Sequence, residues 1–141
     1  KRSASAGFDT LAQAGQVAPA YCTGVGKVIL AFMDDSQRAR ALQQQAYMKY
    51  TAVTHDGPEA LSVELDSIRR DGVAYDREEH ETGIISIAAP ILIRNDIVIG
   101  AVSVATSTSR HDLAGLEAFR PQLLETAQRI GAEAQNWQSP T

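Results

Sequence analysis

The clearest pattern in the chain is a pair of apolar stretches, Ile84 to Ile93 and Ile97 to Thr106, both alternating with period two. The only turn chemistry between them is Asn95-Asp96, which suits a two-residue hairpin connection. With Arg94 facing Ile97, the register sets Pro90 opposite Ala101, Ala88 opposite Ser103 and Ser86 opposite Ala105 on one side of the sheet. The other side carries Ile85, Ile87, Ala89 and Ile91 against Thr106, Val104, Val102 and Gly100, the branched surface expected to form core. A row of Ala, Ser and Pro leaves the first side shallow. Either a small polar ligand sits above it, oriented by the two hydroxyls, or a helix packs close against it.

Ahead of the hairpin, Val73-Ala74-Tyr75 reads as a strand and Asp76 to Gly83 as an acidic, solvated loop. Asp76 differs from its acidic neighbours: at the strand end it can point inward, as a reader of a hydroxyl or amine. Helical patterns flank the strands. Thr23 caps a short apolar segment over Lys27 to Met33, and Asp34-Asp35-Ser36 starts a second helix running to about Gln45. Pro58 opens a third, with Leu61, Leu65 and Ile68 on one face and Gly72 as its stop. A final helix begins near Asp112 and aligns Leu113, Leu116, Phe119, Leu123, Ala127, Ile130 and Trp137, with Pro121 kinking or splitting it. Phe8 to Ala12 is expected to be extended, and the polar end from Gln135 to Thr141 to fray.

Composition narrows the classes. A chain of 141 residues is one domain of ordinary size with room for a proper core. A net charge of -4 offers no electrostatic footprint for a phosphate backbone, so nucleic acid is not the direct partner of these residues. No apolar run approaches membrane-spanning length. A single cysteine, Cys22, cannot form an internal disulfide, which fits a reducing compartment.

Candidate chemistry is sparse. Gly24-Val25-Gly26-Lys27 looks like half a phosphate loop, but Tyr21 stands where the first glycine belongs and Val28 where the metal-binding hydroxyl belongs. What is left is a glycine turn entering a helix. Its free N–H groups and dipole favour an anion such as a carboxylate, unless it is simply a tight helix entry. Cys22 reads as a small buried thiol rather than a nucleophile, since no histidine is paired with it in sequence. His55, His80 and His111 lie far apart and at no helical spacing from another ligand, so no metal site and no cofactor is expected. No residue is assigned a catalytic role.

The stretch Pro19-Ala20-Tyr21-Cys22-Thr23-Gly24-Val25-Gly26-Lys27-Val28-Ile29-Leu30-Ala31-Phe32 resembles the P-x-H-x-T-x-x-G-K-A-x-L-A-F segment of the IclR family of bacterial transcription regulators. Gly72 to Gly83, continuing through Ala88-Ala89-Pro90 to Gly100-Ala101-Val102-Ser103-Val104, is similar to that family's G-Y-A-x-D-x-E-E…G…A-A-P…G-A-x-S-V signature. The resemblance implies an α+β, GAF-like effector-binding domain: a curved antiparallel sheet flanked by helices, with a pocket for a small metabolite.

It also implies effectors that are small carboxylates, sugar acids or aromatic acids, held by the N–H groups at Gly24 and Val25. Other contacts carry over to Asp76, Ile84, Ser86, Ser103 and Ala105, with Ala18 and Thr10 forming an apolar wall. Homodimers or homotetramers are implied, with DNA bound only through an upstream winged helix-turn-helix. The chain starts at Lys1 and contains no such segment, so it is read as a fragment lacking that domain and working in the cytoplasm. Departures from the pattern, Ala105 in place of a hydroxyl and Ser86 in place of cysteine, leave the effector's identity open. Alternatives are a GAF-type sensor attached to another output module, a thiol enzyme using Cys22, and a purely structural assembly domain.

Overall fold

The computed structural model describes residues 19–137. The expectations placed on Thr10, Ala18, Phe8 to Ala12 and the last four residues lie outside them. Helix α1 (Gly24–Phe32) follows a single 3-10 turn at Ala20–Cys22. The Thr23 hydroxyl caps α1 by accepting from the Gly26 N–H at 3.1 Å, and itself donates to the Pro19 carbonyl at 3.0 Å. Helix α2 (Asp35–Gln44) is capped by the Asp34 carboxylate, which accepts from the Gln37 N–H at 2.8 Å. Helix α3 (Pro58–Asp71) has Pro58 in its first turn, where a missing N–H costs no hydrogen bond. It ends at Gly72, whose φ of 85° suits glycine and whose N–H closes on the Ile68 carbonyl. Leu61, Leu65 and Ile68 are buried on one face, as their spacing requires.

Strands β1 (Ala74–Arg77), β2 (Ile84–Ile93) and β3 (Ile97–Ser107) form an antiparallel sheet in the order β1-β2-β3. Ser86 pairs with Ala105, Ala88 with Ser103 and Pro90 with Ala101, the register expected from the sequence. The connection is different. Ile93, not Arg94, faces Ile97, and Arg94–Asp96 forms a three-residue 3-10 turn with Asp96 at φ 56°. A bulge between Ile91 and Leu92 absorbs the one-residue offset, leaving Ile99 as the extra residue of β3. A longer turn and a bulge therefore cancel, and the side-chain faces come out unchanged.

The sheet separates two cores. On the branched face, Ile85, Ile87, Ala89 and Ile91 pack with Leu116 of α4 (Leu113–Glu117) and with Leu123 and Ala127 of α5 (Arg120–Trp137). On the other face, Ala74 and Ala88 join Tyr21, Cys22, Val28, Leu30, Ala31, Leu42, Leu61, Leu65 and Ile68. The structure is thus α+β, with α1 to α3 on one side and α4 and α5 on the other.

Pro121 splits the expected last helix in two, with Arg120 and Pro121 opening α5. The proposed apolar stripe holds only in part. Leu116, Leu123 and Ala127 are buried, whereas Leu113, Phe119 and Ile130 are exposed and Trp137 is 83% exposed. Gly131 is the residue buried against the sheet. A Cβ there would stand 2.3 Å from the Leu92 carbonyl oxygen, so the helix crosses β2 with backbone nearly on backbone. Gly131→Ala is expected to destabilise the chain by about 1–3 kcal/mol through forced separation of α5 from β2, read as a lower urea midpoint.

Candidate functional site

On the small-residue face, the pairings run across all three strands: Asp76 beside Ser86 beside Ala105, and Ala74 beside Ala88 beside Ser103. The first residue of α1 stands on this surface. A Cβ added to Gly24 would lie 2.8 Å from the Ser86 Oγ, 3.4 Å from the Ala88 Cβ and 3.8 Å from the Asp76 backbone nitrogen. A side chain here would have to displace the Ser86 hydroxyl, so glycine lets the helix start sit low beside it.

The helix-packing reading of this face holds for part of it. Its Ala74–Ala88 half is covered by α1 and buried, while Ser103 and Ala105 are exposed among the described residues. Ser86 and Asp76 are buried at the boundary. Of the remaining expected site residues, Ile84 is half-buried at the start of β2 and Val25 is exposed on the first turn of α1.

The helix entry has particular donors with no partner inside the helix. The Gly26 N–H is taken by the Thr23 hydroxyl and the Lys27 N–H by the Thr23 carbonyl. The N–H groups of Gly24 and Val25 have no acceptor within the helix, and they carry the positive end of its dipole. Gly26 cannot be enlarged, because a Cβ would meet the Ala20 Cα at 2.4 Å.

Asp76 faces inward, as its strand-end position suggested. Its Oδ1 accepts from the Glu79 N–H at 2.8 Å. Burial above all pushes its carboxyl up to about 6; the Glu79 N–H and the Lys27 ammonium oppose this, and the Glu79 and Glu64 carboxylates add to it.

The acidic loop is not the solvated connection expected from its composition. Glu79 is buried, and both its oxygens accept from the Lys27 ammonium at 2.8 and 2.9 Å. Lys27 is itself without solvent exposure, donating also to Glu64 at 2.7 Å and to the Tyr75 carbonyl at 2.6 Å. Glu64 also pairs with the His55 Nε2 at 2.6 Å. Burial alone would push the Glu64 carboxyl up, but Lys27 and His55 together hold it below its ordinary range. Sequence reasoning missed this network although it left traces. Lys27 is the lone charge in an otherwise apolar helix, and Glu64 falls three residues after Leu61 on the buried face of α3.

His55, Glu64 and Glu79 bring three potential metal ligands within 4.8 Å of one another. The Lys27 ammonium already stands among the two carboxylates, so the cluster is charge-compensated by a built-in cation. His80 packs edge-on against Tyr50 with ring centroids 4.8 Å apart. Cys22 is fully buried, and its thiol is pushed up to about 12, first by burial and then by the Asp76 and Glu79 carboxylates. That environment is the reverse of what a thiolate nucleophile needs.

The profile of the bacterial transcriptional regulator IclR C-terminal family matches residues 3–132. The chain belongs to that family. It is 37% identical over 109 residues to the HTH-type transcriptional regulator XynR of Escherichia coli strain K12, an alignment covering 77% of this chain and 43% of XynR. The crystal structure of the C-terminal domain of the E. coli regulator KdgR superposes with a TM-score of 0.77 at 33% identity, covering 83% of this chain and 71% of that one. A double mutant of the PobR inducer-binding domain from Acinetobacter, crystallised with 3-hydroxybenzoic acid, gives 0.79 at 27% identity over 92% of this chain and 76% of that one. The chain spans about half the length of the curated relatives it matches. These relatives are transcription regulators rather than enzymes. Among the described residues of this IclR-family domain, no helix is long and apolar enough to cross a membrane.

Two expected outcomes follow from the electrostatics. Because the Asp76 carboxyl titrates higher folded than unfolded, its stabilising contribution is complete below pH 4 and lost as pH rises through about 6. Asp76→Asn should therefore be more stable than the wild-type chain at pH 8, by up to roughly 3 kcal/mol, and equal to it near pH 4 in urea titrations. Lys27→Met strands a buried Glu79 carboxylate and should cost about 3–5 kcal/mol at neutral pH, part of it recovered in the Lys27→Met/Glu79→Gln double variant by the same titration.

Proposed function

We propose that this IclR-family domain is the effector sensor of a bacterial transcription regulator, and that it binds a small organic, sugar or aromatic acid over the small-residue face. The observation that carries the reading is the close approach of the helix start to the small-residue face. Gly24 at the start of α1 stands over Ser86 and the Asp76 backbone, and in this reading its N–H group and that of Val25, the Ser86 hydroxyl and the inward Asp76 carboxylate act as one ligand set. Donors at the helix start suit the effector's carboxylate, and Asp76 suits a hydroxyl on the same molecule. Ile84, Ser103 and Ala105 extend the floor, with Ala18 and Thr10 assigned to the apolar wall. The acid bound by PobR, a ring carrying both a carboxyl and a hydroxyl, has this combination of groups.

In this reading the domain works in the cytoplasm as a homodimer or homotetramer. An upstream winged helix-turn-helix binds the operator, and effector binding shifts the population of domain arrangements, changing operator affinity by the difference in affinity between states. The domain itself performs no chemistry and needs no cofactor or metal.

Pyruvate, gluconate and 3-hydroxybenzoate span the three acid classes. At least one of them at millimolar concentration is expected to raise the melting temperature, since a ligand at about 100 times its Kd adds roughly 2.7 kcal/mol. Asp76→Ala combined with Ser103→Ala should abolish that rise. An undiminished shift in the double variant would place the site elsewhere.

A further inference from the structure

We propose that Glu79, clamped by the Lys27 ammonium, is a positioning residue for effector recognition: it fixes which oxygen of Asp76 is presented to the bound acid. The inference rests on the effector-site reading above and adds a residue that has no place in the site itself.

The Glu79 N–H reaches back three residues to the Asp76 Oδ1 at 2.8 Å, so this oxygen is already engaged. Oδ2 has no partner among the described residues and is the acceptor left for a ligand. The geometry depends on a sharp loop, with Glu78 at φ 60°, a conformation that a non-glycine residue holds only when its surroundings enforce it. Glu79 supplies that enforcement from three directions. Its carboxylate grips Lys27 with both oxygens and accepts from the Arg77 N–H at 3.1 Å, and its carbonyl accepts from the buried Thr54 hydroxyl.

Lys27 links this to the opposite wall. It lies one turn after Gly24 on α1, and its ammonium also holds the carbonyl of Tyr75, the residue before Asp76. One cation thus sets the spacing between the first N–H groups of α1 and the Asp76 carboxylate, the two ends that a hydroxy acid would bridge. A clamp that only stabilised the fold would not care which way Asp76 pointed or what charge it carried.

Asp76 is surrounded by Cys22 from the turn before α1, Lys27 from α1, Glu64 from α3 and Glu79 from the loop. Glu79 raises the Asp76 carboxyl and Lys27 lowers it. Glu79→Gln removes the raising charge and leaves the lowering one, so the titration of Asp76 moves down.

The test compares wild type, Glu79→Gln, Thr54→Val and Asp76→Asn in the whole chain. Calorimetric affinities for pyruvate, gluconate and 3-hydroxybenzoate are measured from pH 4.5 to 8, and the amide nitrogen of residue 79 is followed by NMR over the same range without ligand. Glu79→Gln is expected to weaken binding about tenfold and to lower the titration midpoint at the residue 79 amide by about half a pH unit or more. Thr54→Val, which loses the neutral bonds of that hydroxyl to the Glu79 carbonyl and to the Tyr50 and Thr51 N–H groups but removes no charge, should leave that midpoint in place. Wild-type affinity and midpoint in Glu79→Gln would overturn the proposal. If Asp76→Asn also bound every acid like wild type, the site assignment itself would fall. Weakened binding in Asp76→Asn alone would remove only the role of Glu79. Should none of the acids bind, an unmoved amide midpoint in Glu79→Gln still overturns the clamp.

Discussion

An ammonium group without access to water must be ringed by acceptors, because taking it out of solvent costs several kcal/mol. Lys27 meets that requirement with two carboxylates and a carbonyl, drawn from three different parts of the chain. Glu64 belongs to α3, Tyr75 to β1 and Glu79 to the loop between β1 and β2. Around this one cation the first helix, the third helix and the edge of the sheet are held in a fixed relation. Hydrophobic burial drives these elements together but is not directional. The ion cluster supplies the direction.

That relation decides what the small-residue face is used for. Ala74 and Ala88 let α1 settle onto the sheet, and Gly24 lets its first turn come down until only the Ser86 hydroxyl intervenes. The helix ends there. Beyond it, the surface toward Ser103 and Ala105 is open among the described residues, with Asp76 buried at the margin beside a helix N-terminus. A carboxylate held uncharged or charged according to pH near 6 sits next to donors that favour an anion. Keeping such a group buried works against stability, which is the usual mark of a residue retained for recognition rather than for folding.

Much of the fold was legible because local rules and burial agreed. Caps at Thr23 and Asp34, Pro58 at a helix start and Gly72 at its end all stand where their chemistry placed them. The hairpin faces were legible although the turn was not. Asn95-Asp96 suggested a two-residue connection, but the chain uses three residues and repairs the offset with a bulge, which nothing in the apolar alternation signals. In the last helix, Ile130 and Trp137 fit the apolar stripe and yet are exposed, since the closest approach to β2 falls at Gly131, where no side chain intervenes. The site was legible as small residues and one aspartate. Its support was hidden, because Glu79 reads as one more charge in an acidic run until Lys27, 52 residues away, is brought against it.

The central claim is that a small acid sits between the start of α1 and the Asp76–Ser86 pair. Titrating the isotope-labelled chain with whichever acid most raises its melting temperature, and following backbone amides by two-dimensional NMR, tests it directly. The largest and saturable shifts should fall on Gly24, Val25, Ser86 and Glu79, with Ile130 and Trp137 unmoved. Saturable shifts centred on the exposed side of α5, with Gly24 and Val25 unchanged, would contradict the account.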